Sequence, residues 1–205
     1  MKEDIITELK QKASKLNKLI CLTESEDTRI LEAEIQATEQ KIARICLIGN
    51  EKKVKSDLLK LNKELKLNEK TEIKQKLKTS KEFDLKKIKI IDNENYSKTD
   101  LHKMALQLLE IRKGKVKNEK EALEFLKNKM NFACMLLKQN KIDGIVSGAN
   151  TSTSDTVRPA LQIIKADKNS SIVSSYFLII LPHEKLANKE FVFADCGLNA
   201  CPNAN

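Results

Sequence analysis

The sequence predicts an α/β fold built on a parallel sheet. Short apolar runs of strand length recur along the chain, and amphipathic segments with helical spacing separate them. The clearest case joins a strand at 19–22 to a strand at 43–48 through a helix that ends near Gln40. A strand, a helix and a second strand at this spacing form a βαβ unit, which requires parallel strands.

The other elements follow from similar patterns. Asn118 with Glu121 three residues later is typical of a capping box and predicts the start of a helix. Gly114 is well placed to end the helix before it, which Thr99 or Asp100 can cap. The further expected elements are helices over 5–16, from about 100 to 114 and from 118 to about 139, and strands over 87–91 and 142–146.

The formal net charge of +9 is mostly local. Residues 51–89 hold 14 lysines against seven acidic residues, a net charge of +7. We interpret the stretch from about 51 to 87 as a Lys-rich surface insertion that can form a helix but offers little to bury. Aromatic residues do not alternate with these lysines, so a nucleic-acid binder is the least favoured function.

The apolar runs and the cysteines indicate a soluble protein of a reducing compartment. No run approaches the roughly 18 residues that a membrane span needs, and the charged start predicts no secretory signal, so we expect a cytoplasmic protein without membrane contact. Cys21, Cys46 and Cys134 lie in apolar segments, where a free cysteine behaves as a small hydrophobe. Without a C-x-x-C pair and with only two histidines, we expect no metal site.

The segment that carries chemistry follows the strand at 142–146, at the sheet edge where ligands of open parallel sheets bind. It runs through a glycine turn and a hydroxyl-rich stretch to a helix, whose start Pro159 places near 154–156. Free N–H groups at such a start favour an anion, and Arg158 adds a planar donor for phosphate or carboxylate. The alternative is that the hydroxyls only cap the helix and that Arg158 pairs with Asp155. Five hydroxyl residues within 151–156 exceed what one cap needs, which favours the anion site.

Arginine is rare in this chain, with four residues against 34 lysines. Where lysine supplies nearly every cation, an arginine is expected where a point charge will not serve. Arg112, at the end of its predicted helix, and Arg158 are the best candidates for such positions. Arg29 and Arg44 are equally compatible with surface ion pairs.

Six segments resemble the phosphate acetyltransferases (phosphotransacetylases) and occur in that family's order. The most specific are 153–165, which reads TSDTVRPALQIIK, and 191–199, which reads FVFADCGLN. Thr23 and Ser25 depart from the proline and glycine that the family usually has. The other segments that carry the resemblance are 24–29, 110–114, 143–148 and 171–178.

The resemblance implies an isocitrate-dehydrogenase-like three-layer α/β architecture and a reaction in which acetyl-CoA and inorganic phosphate give acetyl phosphate and CoA. It implies that Arg112 and Arg158 are catalytic residues. CoA, acetyl-CoA and phosphate are substrates, so we expect no permanently bound cofactor, and the full-length family members are expected to be homodimers. The residues expected to bind substrate are Ser147, Gly148, Asn150, Ser154, Asp155 and Thr156.

The resemblance also implies that the chain is shortened at its C-terminus. Family members are ordinarily over half as long again, and their Ser-Arg…Asp catalytic segment lies near their end. Residues 1–167 would then be most of a first α/β domain and 168–205 the beginning of a second. We expect the chain alone to lack the general base and to be inactive. The alternatives are a fragment that only binds phosphate or CoA, a phosphate butyryltransferase-like enzyme and, least favoured, the nucleic-acid binder.

Overall fold

The computed structural model describes residues 5–67, 84, 88–170, 172–180 and 190–198. The chain divides into two compact units: one comprises residues 12–165, the other residues 1–11 and 166–205 as far as they are described. The larger unit holds the parallel sheet. The domain boundary expected after residue 167 stays a prediction.

The secondary structure follows the predicted alternation. The helices are α1 (Ile5–Leu16), α2 (Thr28–Glu39), α3 (Glu51–Leu67), α4 (Lys98–Ile111), α5 (Glu119–Leu126), α6 (Lys129–Lys138) and α7 (Thr153–Pro159), which continues as a π-helical segment (Ala160–Ile164). The strands are β1 (Leu19–Leu22), β2 (Arg44–Ile48), β3 (Lys89–Ile91), β4 (Gly144–Val146), β5 (Tyr176–Ile180) and β6 (Glu190–Ala194).

The sheet of the larger unit has the order β3-β2-β1-β4, and each of its pairs is parallel. Strand β1 therefore lies between β2, the next strand along the chain, and β4, which follows more than a hundred residues later. This arrangement confirms the predicted α/β fold with a parallel sheet.

Alternate residues of the strands point to opposite faces, and helices cover both faces. Cys46 and Ile48 of β2 belong to the core cluster that includes residues of α4, α5 and α6. Ile45 and Leu47 belong to a second cluster with residues of α2 and α3. The unit therefore has three layers, helices on a sheet on helices.

The interpretation of the stretch from 51 to 87 as a surface insertion is wrong for its described helical part. Helix α3 buries Val54, Leu58 and Leu61, which are 2%, 1% and 5% exposed, in the cluster with α2 and the sheet. These residues recur at helical spacing, so α3 presents an apolar stripe to the core, while the lysines within 51–63 are exposed. The helix forms the crossover between the parallel strands β2 and β3. Residues 68–83 and 85–87 lie outside the described residues.

The single helix expected from 118 to about 139 is two helices. Asn118 caps α5 and accepts from the Glu121 N–H at 2.9 Å, as the capping pattern predicts. A second cap interrupts the helix: Asn128 accepts from the Asn131 N–H at 3.0 Å and starts α6. The apolar periodicity runs through both helices and does not show the break.

The described part of the smaller unit contains an antiparallel ribbon of β5 and β6. Large apolar side chains are exposed on both of its faces, because neighbouring residues such as Tyr176 and Phe177 point to opposite sides. Across all the described ranges, no helix combines the length and the apolar character needed to cross a membrane.

Leu58→Ala tests the structural role of α3. Leu58 is 1% exposed, so its truncation is expected to lower the free energy of unfolding by about 2–5 kcal/mol. The control is Leu59→Ala, because Leu59 is 48% exposed and its truncation should change stability by less than about 0.5 kcal/mol. Denaturant unfolding of both variants measures the difference, and equal effects would contradict the buried stripe.

Glu34 of α2 is an acid inside the core. It is fully buried, its Oε1 accepts from the Thr38 hydroxyl at 3.1 Å, and its Oε2 has no hydrogen-bond partner among the described residues. Desolvation raises the pKa of this carboxyl from 4.5 to about 7, although the Thr38 hydrogen bond acts in the opposite direction. Glu34 is therefore stable in the core in its protonated form.

Glu34→Gln is expected to remove part of the pH dependence of stability. Because the folded pKa lies above the unfolded one, the Glu34 contribution is fully present below about pH 4.5 and is lost as pH rises towards 7. Glutamine does not ionise, so the variant should be the more stable protein at pH 8, by up to about 3 kcal/mol. Urea unfolding at pH 5 and pH 8 checks this, and parallel pH profiles for both proteins would contradict it.

Candidate active site at the carboxyl ends of β1 and β4

The carboxyl ends of β1 and β4 meet at one edge of the sheet because the strands are parallel neighbours. The register pairs Leu22 with Val146, so the segments 23–29 and 147–151 begin side by side. The Thr23 hydroxyl donates to Ser147 Oγ at 2.7 Å and joins the first residues of the two segments. A proline at position 23, as the family usually has, would lack this hydroxyl.

The carboxylate of Glu24 accepts hydrogen bonds from four consecutive backbone N–H groups of the 147–151 loop. Its Oε2 accepts from Gly148 at 2.9 Å and Ala149 at 2.8 Å, and its Oε1 from Asn150 at 2.7 Å and Thr151 at 2.8 Å. The Thr151 hydroxyl donates to Oε1 at 2.7 Å. The backbone curls around the carboxylate at Gly148, whose φ of 106° favours glycine. We call these five donors the amide cradle.

The amide cradle keeps Glu24 ionised. Desolvation by itself raises the pKa of this carboxyl, but the hydrogen bonds from Asn150, Ala149 and Thr151 outweigh it and lower the pKa to about 2. The N–H groups of 148–151 are not free for an external anion, because a carboxylate of the same chain already accepts from them. The anion site expected at the start of the following helix stays a prediction.

A second set of contacts ties the same two segments together. The Asn150 side-chain amide donates to Asp27 Oδ2 at 2.8 Å, and Arg29 Nη2 donates to the Ala149 carbonyl oxygen at 3.0 Å. Arg29 also pairs with Asp27 at 2.6 Å, and this hydrogen-bonded pair lowers the pKa of Asp27. Arg29 thus forms an ion pair, one of its expected uses, and also holds the loop.

Helix α7 is capped by Ser152. The Ser152 hydroxyl accepts from the Asp155 N–H at 3.1 Å and donates to the Asp155 carboxylate at 2.8 Å. The helix starts at Thr153, so Pro159 lies at its end. The expectation that Pro159 belongs to the first turn is therefore wrong. The π-helical segment begins directly after Pro159, which has no N–H to donate and whose ring crowds the preceding turn.

Arg158 and Thr156 lie on this helix with different surroundings. Arg158 is exposed, and its Nη2 donates to Ser154 Oγ at 2.8 Å. In the described contacts it pairs with Ser154 and not with Asp155, the partner that the capping alternative assigned to it. The Thr156 hydroxyl is buried and has no hydrogen-bond partner among the described residues. A methyl group on Gly148 would lie 3.9 Å from that hydroxyl, so the two residues face each other.

Arg112 lies in a different pocket. It caps the C-terminus of α4, and its guanidinium carbon lies 5.2 Å from the ring centroid of Phe125. Its Nε is buried without a hydrogen-bond partner in the described part of the chain. Lys113, Lys115 and Gln162 line the same pocket, which has a volume of about 450 Å³. Gln162 belongs to the π-helical segment that continues α7, so this segment links the pocket to the helix of Arg158.

A second pocket, of about 300 Å³, lies beside the amide cradle. Ser147, Asn150 and Asp155, three of the predicted substrate-binding residues, line it. Asn128 and Lys129 also line it, from the break between α5 and α6. Sequence reasoning did not identify these two residues because it did not predict the break. The predicted residues Gly148, Ser154 and Thr156 belong to the same segment but do not line this pocket.

The sequence contains a signal for Glu24 and Asp27, but it does not indicate what the two residues do. Both belong to segment 24–29, which carries part of the family resemblance. Their partners in the 147–151 loop lie more than a hundred residues away, so the pairing of β1 with β4 is needed to show these contacts.

Three of the four described cysteines are buried, and Cys196 is free and exposed. Cys21, Cys46 and Cys134 are free and fully buried. A hydrogen bond with Cys46, together with burial, raises the pKa of Cys21, and burial raises the pKa of Cys134 to about 12. In the described ranges no group of three His, Cys, Asp or Glu residues is arranged to hold a metal ion.

The fold and the site define an α/β protein with a polar site at the carboxyl edge of a parallel sheet. Residues 4–205 match the family model described as phosphate acetyl/butaryl transferase. The chain therefore belongs to this family, as the resemblance indicated.

Individual relatives agree with this assignment. The phosphate acetyltransferase of Acetivibrio thermocellus is 35% identical over 92% of this chain and 50% of its own length. The solved structure of the EutD phosphotransacetylase from Staphylococcus aureus has a TM-score of 0.73 at 34% identity, covering 96% of this chain and 51% of that one. A phosphotransacetylase structure from Streptococcus pyogenes has a TM-score of 0.77 at 30% identity, covering 97% and 52%. The chain thus spans about half the length of these relatives.

Gly148→Ala is expected to open the loop, because alanine is strained at a φ of 106° by about 1–3 kcal/mol. Hydrogen exchange should show faster exchange of the amides of 148–151 together with a lower Tm. The control is Gly114→Ala, which also has a positive φ, 77°, and open space around it. It should lower the Tm without changing exchange in the loop. Wild-type loop exchange in Gly148→Ala would show that the loop does not need this glycine.

Proposed function

We propose that the protein transfers an acetyl group between CoA and inorganic phosphate, so that acetyl-CoA and phosphate give acetyl phosphate and CoA. The observation that carries the proposal is the family match over residues 4–205. The relatives quoted for the sequence and structure comparisons are named phosphate acetyltransferase or phosphotransacetylase, which favours the acetyl over the butyryl substrate.

Two arginines suit the anionic groups of these substrates. Arg158 is exposed beside the Ser154 hydroxyl, and together they offer a planar charged donor and a neutral one to a phosphate. Arg112 lies with Lys113 and Lys115 in a pocket rich in positive charge, and its buried Nε has no acceptor among the described residues. We assign the catalytic roles to Arg158 and Arg112 on these grounds.

The residues around the loop have more limited roles in binding. Ser147 and Asn150 line the pocket beside the cradle, and the buried hydroxyl of Thr156 has no partner in the part of the chain that the structure describes. Buried hydroxyls are nearly always hydrogen-bonded, so Thr156 is a candidate donor to a substrate oxygen. Gly148 has no side chain, so it allows a substrate to approach the backbone closely. Its N–H is already bound to Glu24 and is not a donor to that substrate. Asp155 and Ser154 would act through the capping bond to Ser152 and the bond to Arg158.

The reaction requires stabilisation of negative charge in both directions. In the direction of acetyl-CoA, the thiolate of CoA attacks the carbonyl carbon of acetyl phosphate, a C–S bond forms, and the C–O bond to phosphate breaks. Negative charge develops on the carbonyl oxygen and then on the leaving phosphate, and fixed guanidinium donors stabilise both. The proton of the thiol passes to a base, a role that we assign to no described residue.

The remaining proposals concern the setting of the enzyme. We propose that it works in the cytoplasm, consistent with three buried free thiols, and that it takes CoA and phosphate as substrates without a permanent cofactor or a nucleic-acid partner. We propose a homodimer for the full-length protein. The β5–β6 ribbon exposes large apolar side chains on both faces. Exposed apolar patches of this kind favour burial against another protein surface.

Two measurements on the 205-residue chain test the proposed function. The first is phosphate-dependent release of CoA from acetyl-CoA, and the second is calorimetric binding of CoA and of acetyl phosphate. Turnover would establish the reaction, and binding without turnover would support the expected fragment that lacks the general base. A chain that neither binds nor turns over these substrates would contradict the proposal.

Arg158→Lys is expected to weaken acetyl phosphate binding on the order of tenfold, because a charge-assisted hydrogen bond contributes about 1.5–3 kcal/mol and lysine cannot reproduce the planar fork. The matched control is Arg44→Lys, at the amino end of β2 and so at the opposite edge of the sheet. Calorimetric titration of both variants measures the change. Unchanged affinity in Arg158→Lys, or an equal loss in the control, would remove Arg158 from the site.

A further inference from the structure

We propose that Glu24 is a positioning residue of this site: its carboxylate is the resident anion of the amide cradle, and it leaves substrate phosphate to side-chain donors of α7. This proposal rests on the proposed function, because that function supplies the phosphate substrate. Its structural half, an anion site occupied by the chain's own carboxylate, can be tested separately.

The hydrogen bonds identify the cradle as a true anion site. Consecutive N–H groups of a loop that converge on one point form a concave site for an anion. Here four N–H groups and the Thr151 hydroxyl converge on Glu24, each within 2.9 Å of an oxygen. Both carboxylate oxygens take part, so the cradle is filled by one carboxylate.

The resident charge excludes a second anion from the same donors. A phosphate oxygen would need the N–H groups that Glu24 already holds, and it would approach an ionised carboxylate at short range. Glu24 does not occupy the side-chain donors of α7, which are Arg158 with its partner Ser154 and the buried hydroxyl of Thr156 that faces Gly148. Asn128 and Lys129 also line the pocket, but Lys129 already pairs with Glu26. The assignment of phosphate to α7 therefore depends on Arg158, an exposed charged donor.

Glu24 also fixes the loop against β1. The contact spans 124 residues of sequence, and Asn150 and Arg29 reinforce it through Asp27. Because the backbone of 148–151 is held at four points, Ser147 and Asn150 face the pocket in one arrangement. Glu24 also lines this pocket, but both of its carboxylate oxygens are taken up by the donors of the cradle. It therefore acts by holding the loop, which makes it a positioning residue.

Chemical rescue tests the resident anion. Glu24→Ala leaves the cradle without its acceptor, so its Tm should fall by about 5 °C or more. Millimolar formate, the smallest carboxylate, should then bind the cradle and raise the Tm of the variant above its value in an equal concentration of sodium chloride. Wild-type protein should show no such difference. A residue with only a packing role would not make stability depend on formate.

Glu26→Ala is the matched control. Glu26 lies two residues from Glu24, pairs with Lys129 and makes no contact with the loop amides in the described contacts. Its removal deletes the same charge from the same segment, so the variant should show no rescue by formate. Equal rescue in both variants, or none in Glu24→Ala, would overturn the proposal.

Glu24→Gln keeps the test decisive where the alanine variant does not fold. Glutamine has the same size but only one acceptor oxygen, so the amides of 148–151 should exchange at least about tenfold faster than in wild type. Formate should not slow this exchange because the glutamine side chain fills the cradle. Wild-type protection in Glu24→Gln would show that the carboxylate does not hold the loop.

Inorganic phosphate separates this proposal from the proposed function. Wild-type protein should bind phosphate in a manner that depends on Arg158 and leaves the amide resonances of 148–151 unshifted. Phosphate binding that shifts those amides would overturn the assignment of phosphate to α7 side chains. If the wild-type chain binds neither phosphate nor CoA, the proposed function fails, while formate rescue of Glu24→Ala still decides the role of Glu24.

Discussion

The parallel pairing of β1 with β4 is the constraint on which the candidate site depends. It brings together two polar segments that are far apart in the sequence, 23–29 and 147–151, at the carboxyl edge of the sheet. Parallel strands need long crossovers, and helices that cover both faces of the sheet supply them. The core clusters on the two faces therefore position the site as well as stabilise the unit.

The electrostatic properties of the candidate site depend on individual charged residues and not on the net charge of the chain. The lysines of residues 51–89 account for most of the +9, yet the described part of that stretch serves as a core helix. The proposed roles fall to one carboxylate and two arginines, which lie in different surroundings. Glu24 satisfies the loop, Arg158 lies on α7 and Arg112 lies over Phe125 in a separate pocket.

Local patterns predicted the elements that local forces form. The βαβ unit from β1 to β2 follows from apolar periodicity, and Asn118 caps α5 as its spacing indicates. The patterns failed where one signal obscured another. The lysines of α3 hid the apolar stripe that includes Leu58, and continuous periodicity hid the cap at Asn128.

The fold class, the family resemblance and the candidate segment could be predicted from the sequence, because these depend on periodicity and on motifs that are local in the chain. The contacts within that segment could be established from the fold alone. The loop amides bind Glu24, and this contact could not be predicted because a hydrogen bond across 124 residues leaves no periodic trace in the sequence. Burial likewise raises the pKa of Glu34 to about 7, and the sequence around this residue does not show that it is buried.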